Sequence, residues 1–520
     1  MDLSQIDNRF DLIVIGGGIT GAGILREAVR MGFRTLLLEK NDFAWGTSSR
    51  SSKLVHGGLR YLKEGRFSLT RTSVRERERL LHEAPGLVES MGFLVPVYRT
   101  HGPGRWALEV GLTLYDLIAG RRQHRFFAPD TFQAMVPGIN PEGLLGGFRF
   151  EDAQTDDARL VLRLISDSTA AGAEALNYTT VHHLLRNDRG QIAGVLAKDT
   201  ETGLEKEIFS EAVINATGCW AETLHPSPQP GLHLRPLRGS HLVFAEDTLP
   251  ASQGMSFTHP ADGRAVFMVP WERAVLVGTT DLDHGQELNA EPAIGSDETD
   301  YLLEGINNVF PRMALTRAHC IGAFAGVRPV LSRGDRPPSE ESREHVVWVD
   351  NGLVTVTGGK LTTFRRLAWD ALQSARSFLR PVEPAPRAPA FDTPPIAPTD
   401  ATVDPRIFRR LAGRYGEKAL ALVQNAATED LVAIPGTHTL WAELPHAAGE
   451  QIRHLSDLML RRVRIGMTAP DGGERFLERM EHLCRPCLPW DDRRWRQEIE
   501  NYRTLRKKYY ACPEQGEYLP

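Results

Sequence analysis

Three glycines and one acidic residue supply the first readable chemistry in this sequence. Gly16, Gly18 and Gly21 form the pattern G-x-G-x-x-G within Asp11-Leu-Ile-Val-Ile-Gly-Gly-Gly-Ile-Thr-Gly21. In such a turn the first glycine permits a tight bend and the second lets backbone approach a pyrophosphate. The third lets the following helix sit close on the strand. The helix N-terminus then offers unpaired N–H groups and partial positive charge to the phosphates. Gly17, Ile19 and Thr20 lie in the same turn and are read with it as dinucleotide contacts. Glu39 follows twenty-one residues after Gly18, where a carboxylate would accept hydrogen bonds from an adenosine ribose. An acid there disfavours a 2′-phosphate and hence NADP. NAD and FAD both stay open.

That chemistry needs a strand, a helix and a strand in fixed order. Leu12 to Ile15 reads as a buried strand, Ile24 to Met31 as a helix, and Thr35 to Leu38 as a second strand ending at Glu39. Residues 41 to 66 are a serine- and glycine-rich connection, and long polar loops of this kind are often functional. Phe67 to His82 reads as a solvated helix and Asp157 to Ala171 as another. Ala175 to Val181, Ile192 to Ala197 and Ala212 to Ala216 read as strands. The last runs into Ala216-Thr217-Gly218, a small-residue turn that lets backbone reach the same ligand from a second side.

Farther along, His241–Phe244, Ala265–Val269, Ala274–Gly278 and His345–Val349 predict an antiparallel sheet inserted between pieces of the nucleotide domain. Asn351-Gly352 is a hairpin signal. Leu353 to Thr363 returns to the nucleotide domain and leads into a helix through about Phe378. Pro381 to Pro398 holds seven prolines and reads as a stiff linker. Helical spacing over Arg406–Gln424, Glu450–Met467 and Arg493–Lys508 predicts a C-terminal helical domain.

Composition narrows the partners. A net charge of −5 with 24% charged residues gives no reason to expect nucleic acid. No stretch approaches the roughly 18–20 apolar residues of a membrane span, and the polar Met1–Phe10 segment does not read as a signal peptide. Five cysteines, an odd number, fit a reducing cytoplasm. Cys484-Arg-Pro-Cys487 lacks the second pair a zinc site would want and is read as functionless. Trp106 to Ala119 is largely apolar and precedes Arg121, Arg122, Arg125, Phe126 and Phe127. The same letters fit an element dipping into anionic lipid or an interior helix with a basic exit loop.

Longer motifs join these stretches. Ser51-Ser-Lys-Leu-Val-His-Gly-Gly-Leu-Arg-Tyr-Leu62, Asp156-Asp-Ala-Arg-Leu160 and Asn215-Ala-Thr-Gly218 occur in order. Arg238-Gly-Ser-His241, Gly278-Thr-Thr-Asp281, Gly326-Val-Arg-Pro329 and Gly358-Gly-Lys-Leu-Thr-Thr363 follow them. Together with the glycine turn they resemble the FAD-dependent glycerol-3-phosphate dehydrogenases, from about residue 9 to 380 and again over Glu450–Met467. The last fifty residues match nothing recognised in that family.

The resemblance implies an α/β fold: a Rossmann-like FAD-binding domain of the glutathione-reductase/amino-acid-oxidase type, an inserted antiparallel-sheet substrate domain and a C-terminal α-helical domain. The expected divisions are 1–80, 150–230 and 350–380 for FAD, 81–149 and 231–349 for substrate, 381–400 for the linker and 401–520 for the helices. It further implies oxidation of sn-glycerol 3-phosphate to dihydroxyacetone phosphate by non-covalent FAD. Electrons would pass to a membrane quinone, ubiquinone or menaquinone, or to oxygen in the oxidase branch. The expected setting is peripheral, on the inner face of the cytoplasmic membrane, with a homodimer possible.

Roles follow from the reaction. A phosphate dianion needs several cations, and Arg60, Arg328 and Lys360 are the candidates, with Tyr61 as hydroxyl donor. A base near neutrality points to histidine: His241 is favoured, and His56 is placed on the flavin side. Backbone N–H groups at Gly359, Lys360, Leu361 and Thr362 would stabilise negative charge on the reduced ring. Thr47, Ser48, Ser49, Lys53, Gly57 and Gly58 are expected around the pyrophosphate and the ring, and backbone at Val181 near adenine. Amino-acid oxidases of the same superfamily, or a non-catalytic flavin sensor, are the competing readings. Two arginines and a lysine on separate motifs fit a phosphate better than a carboxylate.

Overall fold

The computed structural model describes residues 2–63, 65–100, 102–120, 122–225, 232–249, 251–332, 334, 341, 344–381, 389–392 and 403–514. The strand Arg9–Ile15 lies at the centre of an eight-stranded sheet. It pairs in parallel with Thr35–Leu38 on one side and Glu205–Asn215 on the other. Leu353–Gly358 and Glu174–Leu176 extend the parallel set outward. Near-continuous apolar runs such as Leu12–Ile15 suit a sheet covered on both faces. The helices Ile19–Arg30, Asp157–Ala170 and Phe364–Ala375 bury one face of it around Leu12, Val14, Ala22 and Leu25, all fully buried. The first helix begins at Ile19, five residues before the apolar periodicity becomes visible.

A second sheet has ten strands and shares the lining of one cavity with the carboxyl ends of the first. Its long members are Val88–Tyr98, Leu144–Thr155, His233–Ala245 and Cys320–Ser332. All pairings are antiparallel except Gly254–Thr258 against Val88–Tyr98. Leu144–Thr155 crosses the division drawn at residue 150, and Leu54–Val55 joins this sheet from within the glycine-rich loop.

Several expectations need correction. His345–Asp350 pairs with Leu353–Gly358 at the edge of the first sheet, so this hairpin is not part of the inserted one. Its turn is the expected one, with Asn351 and Gly352 both at positive φ. Ala175–Val181 is two strands, broken where Tyr178 takes φ 52°. The Arg406–Gln424 helix breaks at Gly416, and Glu450–Met467 is a chain of short turns broken at Arg464, φ 64°. Most of the proline-rich stretch lies outside the described residues. Ala390 and Phe391 within it are anchored, however, buried in the first core with the Ala390 carbonyl accepting from Arg26 Nε at 2.9 Å.

The C-terminal helices dock through buried ion pairs. Asp42 accepts from Arg461 and, at 2.6 and 2.8 Å, from Arg462. Asp157 accepts from Lys53 at 2.9 Å and Arg464 at 3.1 Å. Arg159 reaches Glu450 at 2.8 Å.

Candidate active site

Between the two sheets lies a cavity of about 1990 Å³, larger than the roughly 300–1,000 Å³ of ordinary small-ligand sites. At its floor, strand Arg9–Ile15 ends in Gly16, whose φ of +110° and 2.6 Å approach of a would-be Cβ to the Ala216 carbonyl admit no side chain. A Cβ on Gly21 would lie 1.8 Å from the Gly16 carbonyl, so helix and strand touch backbone to backbone. Gly18, Ile19 and Thr20 line the cavity; Gly17 and Gly21 stand behind them. The Ile19 N–H donates to Ser48 Oγ at 2.9 Å, which sets Ser48 beside the turn.

Glu39 also lines the cavity, at the end of its strand. Its carboxylate accepts from the Gly17 N–H at 2.7 Å and the Asn41 N–H at 2.9 Å. Burial raises its pKa, and those two N–H groups oppose the rise. Val181 lies beyond, and Ala216, Thr217 and Gly218 form the opposite wall. This cradle, with two glycines that tolerate no Cβ and a helix N-terminus opening beside a carboxylate, fits the pyrophosphate and ribose of FAD.

Farther along, Thr47, His56, Gly58, Gly359, Lys360, Leu361 and Thr362 line the cavity, with the Thr362 hydroxyl donating to the His56 carbonyl at 3.4 Å. The Lys360 Nζ sits 3.4 Å above the ring of Tyr61, a cation–π contact within the wall. Leu361–Thr363 is a short 3-10 turn leading into the helix Phe364–Ala375, so backbone N–H groups at its start have no partner within the helix. Arg328 projects from Cys320–Ser332 and donates to Asp281 Oδ1 and Thr279 Oγ1, both at 2.9 Å. Arg60 is carried by the helix Leu59–Lys63, next to Tyr61.

Besides Gly17 and Gly21, four expected site residues stand off the cavity. His241 is 2% exposed, its ring stacked on Phe324 at 4.7 Å, with Nε2 2.9 Å from Ser52 Oγ. Burial, then the neighbouring Lys53 and Arg328 cations, drive its pKa well below the usual histidine value. It is therefore a neutral imidazole that meets the cavity only through Ser52, which does line it. Lys53 is fully buried against Asp157 and donates to the Ser49 carbonyl at 2.7 Å. Burial and Arg464 bring its pKa down to about 7 against the pull of Asp157. Lys53 and Ser49 thus brace the loop from behind. Gly57 is likewise a backbone anchor, its N–H donating to Asp152 at 3.2 Å.

Sequence reasoning passed over Arg264, Thr279, Asp281, Ser52 and the tryptophans Trp45 and Trp220, all on the wall. The Gly278-Thr-Thr-Asp281 motif was the available signal for two of them. Apolar residues of Arg105–Ala119, among them Leu108, Gly111 and Leu114, close the far end. In the C-x-x-C, Cys484 is buried, which pushes its thiol up to about 12, and Cys487 is exposed. No cluster among the described residues could hold a metal.

Comparison with known proteins gives the lineage. The family model for FAD dependent oxidoreductases matches residues 11–365, and that for the C-terminal domain of alpha-glycerophosphate oxidase matches 365–495. The aerobic glycerol-3-phosphate dehydrogenase of Bacillus subtilis is 37% identical over 378 residues, covering 71% of this chain and 67% of its own. The Staphylococcus aureus protein of the same name is 31% identical over 484 residues, covering 88% and 87%. The solved glycerol-3-phosphate dehydrogenase of Bacillus halodurans complexed with FAD superposes with a TM-score of 0.75 at 25% identity, covering 99% of this chain and 97% of that one. With the glycine cradle, the two-sheet cavity and the helical C-terminal domain all in place, the chain belongs to the FAD-dependent glycerol-3-phosphate dehydrogenase family.

Proposed function

We propose that this protein oxidises sn-glycerol 3-phosphate to dihydroxyacetone phosphate and passes the electrons to a membrane quinone while docked on the inner face of the cytoplasmic membrane. The observation that carries this reading is one continuous cavity. Its wall runs from the glycine turn, past Lys360, Tyr61 and Arg328, to the apolar helix Arg105–Ala119.

Bound non-covalently in the cradle, FAD supplies the two-electron acceptor for the hydride from carbon 2 of the substrate. The chain's own residues do the rest. Arg328, Lys360 and Arg60 supply the positive charge that draws the phosphate in, with the Tyr61 hydroxyl as a neutral donor. Each charge-assisted bond contributes roughly 1.5–3 kcal/mol. Backbone N–H groups from Lys360 to Thr362 favour negative charge on the facing wall. The substrate hydroxyl must lose a proton as the hydride leaves. His56, on the cavity wall, takes that role in place of His241, which lies off the cavity behind Ser52. His241 instead orients the Ser52 hydroxyl, which accepts a hydrogen bond from the substrate.

The acceptor side rests on the same helix. Trp106, Val110 and Leu117 are 75%, 68% and 73% exposed, and Arg105 and Arg125 lie over Phe126 and Phe127 beside them. No helix among the described residues is long and apolar enough to cross a membrane, so this face supports surface attachment with an apolar path to the cavity.

Anaerobic mixing of the purified holoenzyme with sn-glycerol 3-phosphate, with glycine as control, tests the reading. The phosphate alone should bleach the visible flavin band, and added quinone should restore it. Bleaching by glycine instead would favour an amino-acid oxidase. Rapid aerobic turnover yielding peroxide without quinone would favour an oxidase.

A further inference from the structure

The cavity wall carries an arginine whose guanidinium, among the described residues, has an ion pair and no hydrogen bond. Arg264 opens the strand Ala265–Trp271 and lines the cavity beside Thr279, Asp281 and Arg328. Its Nη2 stands 3.7 Å from Asp281 Oδ2, while Asp281 Oδ1 accepts from Arg328 at 2.9 Å. One carboxylate, 3% exposed, therefore lies between two guanidinium groups that are 27% and 26% exposed. Among the described residues the Arg264 guanidinium makes no hydrogen bond, so its five N–H donors are uncommitted. Arg50, another cavity-lining arginine, contrasts with it by donating to the Gly46 carbonyl, Glu291 and Tyr510.

The turn that delivers Arg264 is well built. The His259 N–H donates to the Arg264 carbonyl at 2.8 Å, and the Arg264 N–H donates to Asp262 Oδ1 at 3.0 Å. His259 is 1% exposed, stacks on Tyr301 at 3.6 Å and has Nε2 2.7 Å from the Tyr301 carbonyl. Tyr301 in turn donates to Asp262 at 3.0 Å. A pinned backbone thus holds a cavity-facing cation, ion-paired but without a guanidinium hydrogen bond among the described residues, next to a second one. Two guanidinium groups sharing one carboxylate leave a net positive charge, and a planar fork is the group best matched to phosphate oxygens.

We infer that Arg264 is a further ligand of the substrate phosphate, pairing with Arg328 across Asp281 and selecting a phosphorylated alcohol over an uncharged or carboxylate-bearing one. Asp281 keeps the two like charges together and sets their spacing. This rests on the proposed substrate class.

The test uses oxidised holoenzyme titrated with dihydroxyacetone phosphate, followed through the perturbation of the flavin spectrum. Arg264→Gln should weaken binding by about tenfold to a hundredfold, the effect of one charge-assisted bond. In steady state KM for sn-glycerol 3-phosphate should rise by a similar factor while kcat changes far less. Arg264→Lys should recover part of the loss, and guanidinium ion should restore binding to Arg264→Ala, which a merely structural arginine would not allow. A dissociation constant for Arg264→Gln within twofold of wild type overturns the inference and leaves the proposed function standing. Failure of the wild-type holoenzyme to bind dihydroxyacetone phosphate at all overturns the substrate reading, and the inference with it.

Discussion

Replacing Trp106 and Leu117 by alanine should release the protein from anionic vesicles. At 100° per residue, positions 106, 110 and 117 fall within about 40° of one another around the helix. Leu114, Ala107, Gly111 and Leu108 occupy the adjoining arc and line the cavity. Leu112, Tyr115 and Asp116 turn into the core. Trp106, Val110 and Leu117 thus stay exposed beside the cavity, which Val110 also lines, with Arg105 over the Trp106 ring at 5.5 Å. Trp106 is 75% exposed; an aromatic side chain carries about 150–250 Å², so roughly 110–190 Å² enters the bilayer interface, worth about 3–5 kcal/mol. Leu117, at 73% exposure, adds about 1–2 kcal/mol. Arginines at the rim add about 1 kcal/mol each. Losing roughly 4 kcal/mol lowers the partition coefficient about a thousandfold. Cosedimentation of holoenzyme with anionic vesicles measures this directly. Reduction of the flavin by substrate should persist in the double variant while turnover with a vesicle-borne quinone falls. A double variant that binds vesicles within threefold of wild type refutes the assignment of this face.

Two further predictions concern the cradle and its support. Gly21→Ala should yield protein lacking flavin, because its Cβ would meet the Gly16 carbonyl at 1.8 Å and neither backbone can yield; the flavin-to-protein absorbance ratio reports it, and a full complement of flavin would contradict it. Asp42→Asn leaves Arg461 and Arg462 buried without their shared carboxylate, so unfolding free energy should fall by about 3–5 kcal/mol; a change below about 1 kcal/mol in denaturant titration would show that the pair does not tie the helical domain down. Burial alone would raise the Asp42 carboxyl, but Arg462 and Arg461 overcome it and hold it below the usual carboxylate range. In the unfolded chain Asp42 protonates near about 3.9, earlier than in the fold. Its stabilisation is therefore present above that pH and lost as pH falls below it, and the variant should lack this part of the acid response.

Legibility in the sequence followed the range of each interaction. The glycine turn, Glu39 and the Asn351-Gly352 hairpin are local devices, and the letters that make them sit side by side. Sheet membership is different. Nothing within His345–Val349 states whether its hairpin borders the first sheet or the second, because its partner Leu353–Gly358 is what joins Glu205–Asn215. His241 shows the limit for a single side chain. It follows Gly239-Ser240 in a strand whose two faces both meet protein, and only the arrival of Phe324 and Gly278 from distant strands decides that its ring is covered. Arg264 carries no motif at all; it becomes a site candidate only when Asp281 and Arg328 arrive beside it.

The C-terminal helices belong to the site in this physical sense, although none of their side chains lines the cavity. Asp157 accepts from Ser51 through both its N–H and its hydroxyl, at 2.9 and 2.7 Å, and from Lys53 and Arg464. Arg464 also donates to the Ser49 carbonyl at 2.8 Å, and Lys53 reaches the same oxygen at 2.7 Å. One carboxylate and two cations thus fix the backbone from Ser49 to Lys53, and between them stands Ser52, the residue that connects His241 to the cavity. Arg464 can make these bonds because the chain turns at positive φ there, in the stretch that periodicity alone reads as continuous helix. The break in that helix aims a buried guanidinium at the serine loop, which ties the placement of Ser48 and Ser52 in the cavity to the folding of a domain more than four hundred residues away in sequence. Loops that position reacting groups are held best by partners that cannot move independently of the core. Here a buried arginine on the helical domain fills that role, bracing the serine loop from behind the cavity wall.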